Sequence, residues 1–233
     1  AKGAERGVRT VRLRGLQSTA ALWYLGFDSE LLFIGDAGVA EASRPSRRMG
    51  IEWANYARLS PWMTAEADIS FSRARFTDTS PDGDLIPGAL DRVISGALTV
   101  EPARRLYGSV RLRHFGPRAL IEDGSVSSKS TTIWNGEMGF RLTPHARVLV
   151  EGFNLLDSAV ADIDYFYTSR LPGEPPEGVD DVHTHPSIPR TGRITLQLTF
   201  CASRYGAPEL GWRMTMISAP VAWSVLPVSI SDS

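Results

Sequence analysis

Along most of this chain polar and apolar residues alternate with a period of two, the signature of strands that show one face to an apolar medium and the other to water. The clearest stretch is Thr191–Phe200, TGRITLQLTF. Ile194, Leu196, Leu198 and Phe200 share one face, and Thr191, Arg193, Thr195, Gln197 and Thr199 share the other. Trp62–Phe76 repeats the pattern. Met63, Ala65, Ala67, Ile69 and Phe71 lie on one side, Thr64, Glu66, Asp68, Ser70 and Ser72 on the other. Strands in soluble sheets usually run five or six residues, whereas a tilted strand crossing a bilayer needs about 9–11. Two carboxylates on the inner face suit a water-filled lumen better than a dry core.

The same reading gives strands over Ala1–Arg14, Ser18–Ile34, Ser46–Arg58, Trp62–Phe76, Asp91–Val100, Arg105–Phe115, Lys129–Leu142, Ala146–Leu156 and Thr191–Phe200. Ser18–Ile34 is apolar on both parities in its middle and gives no phase. The connections alternate in length. Gly15–Gln17, Ser60-Pro61, Glu101–Arg104 and Thr143–His145 are short; Gly35–Pro45, Thr77–Leu90, Gly116–Ser128 and Asp157–Pro189 are long and rich in Gly, Pro and Asp. That rhythm is the one outer-membrane barrels show, with short periplasmic turns and long outer loops. The expected fold class is all-β: an antiparallel transmembrane β-barrel segment of about nine strands, a partial barrel without a plug. A small self-contained outer-membrane barrel (an enzyme or an adhesin) and a soluble β-sandwich binding module are the competing readings. A signal peptide just before Ala1 and pairing of the first strand with Thr191–Phe200 would mark the self-contained barrel.

Composition narrows the function more than the fold. Lys plus Arg number 25 against 26 Asp plus Glu, a net charge of −1, so no basic field exists to draw nucleic acid. The lone Cys201 rules out an internal disulfide framework. No run of about 18 apolar residues suggests a membrane-spanning helix, and the N-terminal stretch lacks the apolar core of a signal peptide. No nucleophile–base pair, phosphate loop or dinucleotide fingerprint occurs, so neither an enzyme nor a cofactor is expected.

Three stretches carry a resemblance: RPSRRMGIEWANYARLSPW (Arg44–Trp62), LVEGFNLLDS (Leu149–Ser158) and RITLQLTF (Arg193–Phe200). In this order they resemble the C-terminal part of TonB-dependent outer-membrane receptors. Gly50-Ile51-Glu52 is similar to a recurring strand start, and Phe153–Asp157 to the penultimate-strand signature of that family. The resemblance covers about residues 1–200. It implies a barrel of about 22 strands around an N-terminal plug, and uptake of iron–siderophore complexes or other metal chelates driven through the TonB complex. The implied partners are outer-membrane lipid, the plug and remaining barrel strands, TonB, the chelate, and the barrel-assembly machinery. That machinery reads the terminal strand, here Ile194, Leu196, Leu198 and Phe200. With no plug and under half the strands, the chain looks like a receptor segment unable to transport alone. Residues 201–233 hold Pro208 and Pro220 and no pattern in register with the barrel, and are expected to form an unstructured or adventitious tail.

Candidate ligand-binding residues lie in the last long loop. Asp180, Asp181, His183 and His185 combine imidazoles at i and i+2 with carboxylates, a donor set suited to a transition metal or its chelate; a solvated acidic loop has the same composition, and no third ligand is fixed by spacing. Asp162 and Asp164, beside Tyr165 and Tyr167, form a second candidate group. Trp53, Trp62 and Trp134 read as interfacial girdle residues. Arg105, Arg111 and Arg113 share one face and are expected to pair with carboxylates such as Glu137.

Overall fold

The computed structural model describes residues 1–13, 15–34, 39–200, 212–217 and 221–222. Every regular element among them is a strand. The main sheet follows β1 (Lys2–Leu13), β2 (Leu16–Phe27), β5 (Ser46–Ser60), β6 (Met63–Phe76), β7 (Arg92–Ala103), β8 (Leu106–Phe115), β9 (Thr131–Thr143), β10 (Ala146–Phe153) and β13 (Thr191–Phe200), in that order and antiparallel throughout. These are the nine strands of the sequence reading. Two elements lie inside expected loops: a hairpin of β3 (Leu31–Ile34) with β4 (Val39–Ala42), and one of β11 (Ala161–Ser169) with β12 (Val179–Pro186). Beyond β13 the backbone of β14 (Trp212–Ile217) and β15 (Val221–Ala222) pairs along its other edge. The rest of segment 201–233 lies outside the described residues. β1 and β13 do not meet, so the sheet is an open, partial barrel, without the ring closure that a self-contained barrel needs.

Register explains how one layer of strands holds together. On one face the rungs run Trp53–Ile69–Ile94, Leu98–Val110 and Met138–Val150–Ile194. Most of their side chains are large and exposed, Leu98 at 43 % and Met138 at 55 %, while Ile69 and Ile94 are half-buried. A continuous exposed apolar face across nine strands is what a lipid-facing sheet requires and what a water-soluble protein avoids. The opposite face carries Glu66, Asp68, Ser95, Ser109, Arg111, Arg113, Asn135, Glu137 and Glu151 on neighbouring rungs. Arg193 clamps Glu151 with two bonds of 2.7 and 2.6 Å. Of Arg105, Arg111 and Arg113, expected to pair with carboxylates such as Glu137, Arg113 does meet a carboxylate, but that of Asp162. Arg113 sits 3.4 Å from Asp162, and Glu137 accepts from the Ser109 hydroxyl at 3.2 Å. Asp162 comes within reach because its hairpin folds back over the sheet end, which the strand pattern alone does not reveal.

The Gly50-Ile51-Glu52 element has a packing cause. Gly50 is the cross-strand partner of Trp23, whose indole lies over it; a Cβ at position 50 would come 2.7 Å from that ring and 2.7 Å from the Phe71 carbonyl oxygen. Only glycine admits both.

The turns sort by length to opposite ends of the sheet. Tight connections join β1–β2, β5–β6, β7–β8 and β9–β10; the long ones, with both small hairpins, gather at the other end. Three of the four apolar side chains buried among the described residues, Phe76, Ile86 and Leu120, sit at or under those loops. The sheet has no dry core of its own, and compaction is concentrated where the loops meet.

Candidate functional site

The loops join into one unit through backbone bonds. Leu85 N–H donates to the Glu122 carbonyl at 3.0 Å and Gly88 N–H to that of Ala119 at 2.8 Å, which ties loop 77–91 to loop 116–130. The Pro81-Asp82-Gly83 turn makes the closest approach. Gly83 has φ 112°, and a Cβ there would fall 2.2 Å from the Glu122 carbonyl oxygen. Replacing Gly83 by alanine combines a left-handed-region penalty with a backbone overlap. G83A is therefore expected to separate the two loops and destabilise them by about 2–3 kcal/mol, read as faster limited proteolysis within 77–91 and 116–130 with the sheet intact.

Arg44 is the centre of this unit. Its guanidinium contacts Glu122 and lies 3.3 Å from Asp78, donates to the Gly83 carbonyl at 3.1 Å, and stacks 4.2 Å over the Phe76 ring. Nearby, Glu30 accepts from Arg48 at 2.7 Å and from the Ser46 hydroxyl at 2.8 Å. Partly buried pairs with several hydrogen bonds fix geometry more than they add stability. Here they hold the loop bases in place around a space.

That space is a cleft of about 1110 Å³. Arg44, Arg48 and Arg118 contribute cationic walls; Phe76, Ile86, Leu120 and Ile163 apolar ones; Asp82, Glu122, Asp123 and Asp164 acidic ones; Tyr165 and Tyr167 aromatic rims. A concave, mostly apolar site with a few converging polar groups fits a small-molecule ligand.

The sequence candidates divide around it. Asp164 lines the cleft, buried at 8 % exposure with its carboxylate accepting from Thr184 at 2.8 Å. Asp162 points to the sheet, accepting from the Ser187 hydroxyl at 2.6 Å and facing Arg113. Alternation along β12 puts Asp181, His183 and His185 on one face and Asp180 on the other, where it accepts from Thr168. His183 stacks on Tyr167 at 3.7 Å with its Nε2 3.2 Å from the Tyr167 carbonyl oxygen, and His185 meets Tyr165 edge-on at 6.1 Å. None of Asp180, Asp181, His183 and His185 lines the cleft. Among the described residues no group of three or more His, Cys, Asp or Glu converges as a metal site would require. Arg44, Arg48, Arg118 and Glu122 belong to the cleft and are absent from the sequence candidates. Their one visible signal was the RPSRR stretch, which begins at Arg44 and ends at Arg48.

The base of the last loop is built by the FNLLD motif. Asn154 and Asp157 both have positive φ, 48° and 53°, a conformation that Asn and Asp tolerate better than other side chains. The Asn154 amide donates to the carbonyls of Ser158 (3.0 Å) and Ile188 (3.2 Å) and its oxygen accepts from Ser158 N–H (2.9 Å). One buried side chain thus closes both ends of segment 154–190.

No protein-family model and no curated protein sequence matches the chain. Solved structures do. The ferric yersiniabactin uptake receptor FyuA from Yersinia pestis superposes with a TM-score of 0.64 at 18 % identity, over 85 % of this chain and 29 % of the receptor. The siderophore receptor PiuA from Acinetobacter baumannii gives 0.61 at 11 % identity over 83 % and 27 %. The copper transporter OprC gives 0.60 at 16 % over 85 % and 31 %. The chain thus spans between a quarter and a third of the length of the proteins it resembles. At these identities the likeness is one of fold: the open antiparallel sheet superposes on part of the structures of those proteins.

Proposed function

We propose that this chain is a segment of a TonB-dependent outer-membrane receptor barrel whose loop-end cleft helps take up a metal chelate, with an iron–siderophore complex the leading class. The observation that carries the reading is the pairing of a continuous exposed apolar face with a loop-built cleft at one end of the same strands. The apolar face meets lipid, the polar face lines the lumen, and the loops stand outside the cell. An anionic chelate fits the three arginines and the aromatic rim; Glu122 fixes Arg44, and Asp164 is engaged by the Thr184 hydroxyl, rather than meeting the ligand. The plug, the remaining strands, the TonB complex and the barrel-assembly machinery reading Ile194–Phe200 are the partners this role demands. The role is passive: binding and passage, no bond chemistry. The chain does not transport alone, because an open sheet edge in lipid leaves backbone groups unpaired at several kcal/mol each. In this reading segment 201–233 lies outside the evolved barrel although β14 and β15 pair with β13, and stopping the chain after Phe200 is expected to improve insertion of the intact receptor.

Binding of a panel of ferric catecholate, hydroxamate and carboxylate chelates, haem and cobalamin to the intact receptor tests the proposal. At least one member should bind, and Arg48→Ala with Arg118→Ala should weaken it about 10-fold or more. Absence of binding across the panel, or binding untouched by both substitutions, would refute it.

A further inference from the structure

The opposite, short-turn end of the polar face holds positive charge that nothing in the described chain neutralises. Arg141 on β9 and Arg147 on β10 are direct cross-strand partners, and like charges so placed destabilise a sheet. The register shifts between Ala146 and Arg147, and it is this irregularity that sets the two guanidinium-bearing residues opposite each other; bulges commonly re-aim side chains in this way. Four residues further along the strands, Glu137 and Glu151 are also opposed, but there Arg193 relieves the repulsion. Arg141 and Arg147 have no such relief. Among the described residues neither takes part in an ion pair.

Both guanidiniums are nevertheless held in place. Arg147 Nε donates to the Gln197 side-chain oxygen, and Arg141 Nη1 lies 3.5 Å from the Arg104 carbonyl oxygen that accepts from it. Neutral acceptors orient the two groups and leave their charge unspent. Beside them is a cavity of about 200 Å³, also lined by Thr143, His145 and Thr199. It offers two fixed forks, hydroxyl donors and an imidazole, with no carboxylate on its wall.

We propose that this niche binds an oxyanion of the phosphate class. Two guanidiniums match a doubly charged tetrahedral anion in charge and in paired N–H geometry, and the threonine hydroxyls can donate to its remaining oxygens. The anion is either free in solution or the phosphate of a lipid headgroup at the sheet's rim. The site stands on this end of the sheet alone and does not rest on the uptake reading.

Inorganic phosphate titrated calorimetrically into the detergent-solubilised protein, with phosphatidylglycerol retention from mixed phosphatidylglycerol–phosphatidylcholine nanodiscs followed in parallel by native mass spectrometry, tests it. Saturable binding of one or both probes is expected. Arg141→Gln with Arg147→Gln should weaken it at least about 10-fold, the double lysine variant by less, and Lys129→Gln at the loop end not at all. Phosphate binding alone assigns a free anion; arginine-dependent lipid retention assigns a headgroup. Should the glutamine variant fail to fold, the lysine variant and the rise in wild-type thermal stability with added phosphate carry the test. No binding of either probe, or binding unchanged in the arginine variants, overturns the site.

Discussion

Leu98→Arg should destabilise the barrel by about 2–4 kcal/mol, while Ala97→Arg, one residue away, should cost under about 1 kcal/mol. Leu98 stands near the middle of β7 on the apolar face, 43 % exposed and opposite Val110 and Ala65. In the proposed barrel a guanidinium there would lie near the hydrocarbon midplane, where lipid-facing charges are most costly. Position 97 points to the polar face, where its cross-strand partners are Glu66 and Arg111; a new arginine there stays in water and gains Glu66 as a partner. Denaturant titration of the receptor refolded into lipid gives both values. In a soluble sheet the two faces would respond by local packing, and this asymmetry would vanish.

The second large effect concerns Asn154. Removing its amide in Asn154→Ala leaves two carbonyls and one N–H at a site only 2 % exposed, and places alanine at φ 48°. Unsatisfied buried groups cost about 1–3 kcal/mol each, and the left-handed conformation adds about 1–2. Because the loop can partly relax to water, a net loss of about 3 kcal/mol is expected. Asn154→Gly separates the causes: it removes the strain but not the lost bonds, and should recover about 1 kcal/mol. Asn154→Asp keeps the acceptor for Ser158 N–H and loses both donors. Hydrogen exchange across 154–190 reads the effect locally. If alanine and glycine behaved alike, the backbone conformation would not be what selects asparagine.

The nine main strands were legible because most of them alternate apolar and polar residues and each is long enough to show the period. The small hairpins were not. β11, ADIDYFYTS, keeps its aspartates on one parity and its tyrosines on the other, but Phe166 falls with the aspartates and both faces carry polar groups, so no apolar face stands out. The unphased run Ser18–Ile34 proves to be one barrel strand followed, after a break at Ser29-Glu30, by the start of another hairpin. The cleft was the least legible part. Arg44 and Glu122 are 78 positions apart, and nothing in either neighbourhood announces the other. The candidate group Asp180–His185 illustrates the reverse: residues adjacent in sequence are divided by the pleat, with His183 and His185 occupied against tyrosines rather than turned to the cleft. By contrast the FNLLD motif could be found from the sequence, and the structure supplies its physical cause in two left-handed residues, Asn154 and Asp157, a conformation that Asn, Asp or Gly accept most readily.

In the proposed receptor the apolar face of this sheet meets lipid and the polar face meets water. Spin labels placed singly at positions 93 to 100 along β7, in a Cys201→Ser background within the intact receptor in liposomes, measure it directly through collision with oxygen and with a water-soluble nickel chelate. Labels at 94, 96, 98 and 100 should relax with oxygen, and those at 93, 95, 97 and 99 with the nickel chelate, alternating with a period of two and with oxygen contrast greatest near Leu98. Equal access of the nickel chelate to both sets would mean that the strands do not cross a bilayer, and would contradict the account.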